Sequence, residues 1–81
     1  MRLHDILPPE AVSGTSRIVL TGNNQILIEG HKGLMRYDAQ SISLRLQDGS
    51  LHILGDGMTL GILAQNELSV TGRILSLEFQ P

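Results

Sequence analysis

Two histidines and three aspartates are the residues of this chain with the most chemical reach. His31 and His52 could ligate a metal or serve as a general base. His31 sits in the glycine-flanked turn Gly30-His31-Lys32-Gly33, and His52 stands between Leu51 and Ile53 on the outward face of an alternating segment. Neither belongs to a set of three or four ligands at metal spacing, so both are expected as solvated surface histidines. His31 holds more interest, because Gly30 and Gly33 expose it. Asp38, Asp48 and Asp56 fall singly in separate turns, without the alternating oxygen ligands and closing Glu that a calcium loop requires. Gly55-Asp56-Gly57 with Gly61 resembles a phosphate-binding loop, but the third glycine falls one residue late and no helix follows. A turn is the expected role of that cluster. No serine lies in a Gly-x-Ser-x-Gly elbow. The chain is expected to be no enzyme and to carry no cofactor or metal.

Composition narrows the partners. Six basic and eight acidic residues give a formal charge of −2, which lacks the basic stripe of a nucleic-acid platform or an anionic-membrane binder. There is no cysteine, so disulfides and thiolate metal sites are excluded. No segment approaches membrane-spanning length, and Met1-Arg2-Leu3-His4-Asp5 leads into no apolar signal region. A cytoplasmic protein with no direct membrane insertion and no small-molecule substrate is expected. Hydrophobic residues are 41% of the chain with one Phe, one Tyr and no Trp, so the core must be aliphatic. A domain of 81 residues buries only about 60–65% of its unfolded surface, which favours further burial by assembly.

The elements that position these residues follow from the period. Residues 1–16 form a leader: Leu3, Ile6 and Leu7 allow one helical turn, Pro8-Pro9 ends it, and Ser13-Gly14-Thr15-Ser16 is a linker. The leader is expected to be weakly ordered or to dock on a partner. From Arg17 the apolar period is two, and 17–81 is predicted as one all-β domain. Ile18 to Thr21, Ile26 to Glu29 and Leu34 to Tyr37 are strands, with a turn at Gly22-Asn23-Asn24. Ile42, Leu44 and Leu46 alternate with Ser43 and Arg45, and Asp48-Gly49 is a hairpin turn before Leu51 and Ile53. Met58 to Ile62, Leu68 to Val70 and Leu75 to Phe79 complete the series, with turns at Gly55-Asp56-Gly57 and Gly72. A short β run ending in glycine recurs at Gly22, Gly30, Gly55 and Gly72 with unequal spacing. That irregularity favours an antiparallel β-meander, a twisted sheet or two-layer roll, over a solenoid.

With the order laid out, the chain resembles the YabP/YqfC family of bacterial sporulation proteins. The run from Arg17 to Gly33, RIVLTGNNQILIEGHKG, is similar to the family's opening strand, Gly-Asn turn and Ile-Glu-x-His-x-Gly element. Asp48-Gly49, Leu51-His52-Ile53-Leu54-Gly55 and Leu60-Gly61-Ile62 resemble its middle, and Leu68 to Phe79 its closing strands. Leu7-Pro8-Pro9-Glu10-Ala11-Val12 is similar to the leader before its first strand. The resemblance implies a mother-cell protein of an endospore-forming bacterium, needed for spore morphogenesis, and brings no catalytic residues.

Of the matching positions, only Glu29 and His31 are polar beyond what turn geometry demands, so they are the candidate partner-contact residues. The expected action is self-association as a homo-oligomer, or docking on a spore-envelope or membrane-associated protein. An Sm-like RNA-binding ring is the alternative, since Gly33 to Asp38 and Val70 to Ile74 echo the two Sm segments. The absence of Asn after Tyr37-Asp38, the acidic balance and the lack of an aromatic stacker weigh against it. A bactofilin-like polymer would require regular solenoid turns.

Overall fold

A computed structural model of the chain describes residues 16–81. The expected leader and its helical turn lie outside the described residues, apart from Ser16. Ser16 is buried, and its hydroxyl donates to the Gly30 carbonyl at 3.3 Å. It belongs to the domain.

The described residues are all-β, as the period of two predicts, with no helix among them. The strands are β1 (Arg17–Thr21), β2 (Gln25–Glu29), β3 (Gly33–Tyr37), β4 (Ser41–Leu46), β5 (Gly49–Leu63) and β6 (Glu67–Gln80). All pair antiparallel in one open sheet, in the order β1-β2-β6-β5-β4-β3. The up-and-down meander runs from β3 through β6. The β1–β2 hairpin then joins the far side of β6, where Ile26 lies opposite Val70 and Ile28 opposite Leu68. Matching those four apolar side chains on one face puts β2 beside β6 and leaves β1 and β3 as edges.

The last two strands are long. β5 has 15 residues, and a flat strand of that length would span roughly 50 Å at about 3.3 Å per residue. The described residues span at most 32 Å, so the strand has to bend. Gly55-Asp56-Gly57 and Gly72 are where it happens. Their composition predicts chain reversals, but they are bends inside continuous strands, with register shifts between Leu54 and Gly55 and between Asp56 and Thr59. At Gly55 and Gly72 the two backbones come too close for a side chain. A Cβ on Gly55 would collide with the Arg73 carbonyl, and one on Gly72 would lie 2.7 Å from Met58 Cα. Gly72 also has φ +137°, in the region glycine alone adopts freely.

Bulges free backbone amides, and two turns satisfy them. Gly55 and Met58 donate to the carbonyls of Gln40 and Ala39, at 3.1 and 2.9 Å, in the β3–β4 turn. Gly72 and Ile74 donate to those of Asn24 and Asn23, at 3.1 and 2.7 Å, in the β1–β2 turn. Each hairpin turn plugs one bend.

The bent sheet forms two layers. One holds β1, β2, the end of β5 and the start of β6; the other holds β3, β4, the start of β5 and the end of β6. Ile26, Ile28, Leu68 and Val70 from the first meet Ile42, Leu44, Leu51 and Ile53 from the second in one cluster, with Met58 at the fold. The core is aliphatic as expected, and Phe79 only packs against its margin. The recurrent glycines mark strand ends and bends of this sheet, and no solenoid turn is present among the described residues.

Candidate functional site

Glu29 and His31 close β2 and open the crossing to β3, and the structure gives them separate surroundings. His31 is 5% exposed, which corrects the expectation of a solvated histidine. Its Nδ1 accepts the Gly33 amide at 3.1 Å, and its Nε2 lies 3.2 Å from the Ala64 carbonyl in the β5–β6 turn. The Gly30 amide donates to the Asn66 carbonyl at 2.6 Å and the Lys32 amide to the Arg45 carbonyl at 2.7 Å. The crossing is thus tied to the tip of one layer and to β4 of the other, with the imidazole filling the space between. Burial of a ring whose two nitrogens both have partners is a latch.

Glu29 faces outward. Its carboxylate accepts from the Arg17 guanidinium at 3.0 Å across the β1–β2 ladder, with both side chains partly solvated. It also stands opposite Glu67 on β6. Arg17 offsets the repulsion of that like pair.

His52 is half-buried on the outer face of the second layer. The Ser43 hydroxyl lies 2.9 Å from its Nδ1 and the Ser50 hydroxyl 3.2 Å from its Nε2. A serine–imidazole contact is the start of a nucleophilic pair, but Ser43 is buried and the far ring nitrogen meets a second hydroxyl where a triad would place a carboxylate. The cluster ties β4 to β5. Asp38 Oδ1 accepts the amides of Gln40 and Ser41, each at 2.8 Å, and so builds the β3–β4 turn. The Gln40 amide above all, with the Ser41 amide and the Arg36 charge, holds its carboxyl below the ordinary 3.8 although desolvation opposes them. Among the described residues, no three His, Asp or Glu side chains converge on one point.

One surface feature was not anticipated. On the outer face of the first layer, Val19 lies opposite Leu27, Leu27 opposite Ser69, and Ser69 opposite Ile62. This makes an apolar row across four strands, with Val19 36% and Ile62 48% exposed. Ser69 is buried beneath its neighbours and accepts the Ile62 amide at 2.8 Å. Polar rows flank it, with Arg17, Glu29 and Glu67 on one side and Thr21, Gln25, Thr71 and Thr59 on the other. The sequence does carry a signal: Ile18-Val19-Leu20 and Ile26-Leu27-Ile28 are unbroken apolar runs where a solvated face would call for alternation. No helix among the described residues is long and apolar enough to cross a membrane.

Comparison with known proteins gives the chain a setting. The family model described as the YabP family matches residues 13–81. The chain is similar to the uncharacterized protein YqfC of Bacillus subtilis (strain 168), 28% identical over 68 residues that cover 84% of this chain and 73% of that protein. No solved structure matches.

Proposed function

The chain belongs to the YabP family, and from that premise we propose that it is a non-enzymatic component of endospore formation, active in spore morphogenesis. It works in the mother-cell cytoplasm by joining a second copy of itself or a spore-envelope partner. The observation that carries this reading is the apolar row Val19-Leu27-Ser69-Ile62 with its polar borders, beside an edge strand. Apolar centre and polar rim are the anatomy of a protein-binding surface. The side chains with chemical reach support the same reading, since His31, His52 and Asp38 each have a structural task. The formal charge of −2 favours a protein partner over a polyanion.

The test is sporulation frequency in a spore-forming host whose own gene is replaced by variants. Deletion should lower the yield of heat-resistant spores. Ile62→Lys, which puts a charge into the row without touching the core, should lower it as well. His52→Ala, away from the row, should leave it near wild type. Normal sporulation of both the deletion and Ile62→Lys strains would rule the reading out.

A further inference from the structure

The two edges of the sheet differ in how well they are guarded. β3 has a bulge between Leu34 and Arg36 that breaks its register. A bulge is one of the devices that keep an edge from pairing with another chain. β1 has no bulge. Its register against β2 is unbroken from Arg17 to Thr21, it contains no Gly or Pro, and its one charged residue is held by Glu29. Among the described residues β1 pairs on one side only. Its apolar side chains are open on that side, with Val19 36% and Leu20 39% exposed.

Resting on the assembly reading above, we propose that β1 pairs antiparallel with β1 of a second copy, about a two-fold axis through Val19. In this register Arg17 faces the second copy's Thr21, Ile18 faces its Leu20, and Val19 faces Val19. No like charges meet, and every residue of the strand finds a partner on its own face of the sheet. Ile18 and Leu20 extend the inner apolar face across the axis. Val19 joins the row Val19-Leu27-Ser69-Ile62 to its symmetry mate, so two short surface rows become one. Pairing β1 with the β3 of another copy would be head-to-tail, and the bulge after Leu34 would interrupt its ladder. A strand of five residues buries less than a standard interface of about 1,600 Å². The dimer is therefore concentration-dependent.

The experiment uses the purified full chain. Sedimentation velocity over a dilution series should show a monomer passing to twice the mass as concentration rises. Val19→Lys sets two ammonium groups face to face on the axis and should stay monomeric throughout, with unchanged circular dichroism. The chain has no cysteine, so Val19→Cys gives a clean second arm. Directly opposed antiparallel residues lie about 4.5–5.5 Å apart at Cα, within disulfide reach. Mild oxidation should convert Val19→Cys to a covalent dimer much faster than Met35→Cys on the guarded edge. A monomer at every concentration, an undiminished dimer in Val19→Lys, or equal cross-linking of the two cysteine variants would overturn the proposal. If Val19→Lys misfolds, the cysteine pair decides alone. A monomeric, folded Val19→Lys that sporulates normally would support the dimer interface while removing its role in the assembly reading. A wild-type monomer whose deletion blocks sporulation would do the reverse.

Discussion

The Gly33 amide donates to Nδ1 of His31 across 3.1 Å, and that one bond fixes the proton on the other nitrogen of the ring. A backbone amide can only donate, so Nδ1 carries the lone pair and Nε2 carries the hydrogen. Nε2 then gives it to the Ala64 carbonyl, 3.2 Å away and 33 residues along the chain. A histidine in a glycine-rich turn thereby connects the β2–β3 crossing to the tip of the β5–β6 hairpin.

Removing that ring should cost much of the domain's stability. His31→Ala strips the Gly33 amide and the Ala64 carbonyl of a shared partner and leaves a void. A loss of about 2–4 kcal/mol is expected from those two effects. Urea unfolding followed by circular dichroism would measure it. A midpoint within error of wild type would show that the latch bears no weight.

Glu29→Ala should behave differently. An ion pair this solvated is worth about 0–1 kcal/mol, so stability should barely move. A sporulation defect in Glu29→Ala with an unchanged unfolding curve would mark a lost contact. The same defect in His31→Ala would reflect unfolding.

The bend glycines make a separable prediction. Gly72 and Gly33 both have positive φ, +137° and +147°, but a Cβ on Gly33 meets open space while one on Gly72 meets the β5 backbone. Gly33→Ala should therefore cost about 1 kcal/mol of backbone strain, and Gly72→Ala about 3 kcal/mol or more. Equal costs in thermal unfolding would mean that the close approach of β5 and β6 does not matter.

Acid should weaken the β3–β4 turn. Bonds from the Gln40 and Ser41 amides and the charge of Arg36 favour ionised Asp38, so its folded-state value lies below the ordinary 3.8. Its contribution is present above the ordinary carboxylate range and is lost as pH falls through the lowered value. The difference in melting temperature between wild type and Asp38→Ala should be full near neutrality and should close on acidification below 3.8. A pH-independent difference would assign the effect to the side chain's packing.

Much of this was legible beforehand, for local reasons. Ile42, Leu44 and Leu46 alternate with polar residues, and Gly22-Asn23-Asn24 marks a reversal, so strand positions and the first hairpin follow from neighbours in sequence. What was hidden depends on distant partners. Gly55-Asp56-Gly57 has the composition of a turn whether the chain reverses or bends, and only the approach of Arg73 and Gly72 distinguishes the two. The pairing of β2 with β6 needs Ile26 and Ile28 to meet Val70 and Leu68, a match no local window contains. His31 reads as solvated until Ala64 is placed beside it. The apolar outer row escaped for the same reason, since Ile62 joins Leu27 only through Ser69 on a strand between them.

Because β5 and β6 each run through both layers, neither layer is a piece that can exist without the other. Opening one half would tear the ladder that holds the other, and would release the hairpin turns that satisfy the bends. Slow amide exchange of Ile28 in one half and Ile53 in the other should then collapse onto a single opening free energy, equal to that of global unfolding. Such a body opens whole or not at all.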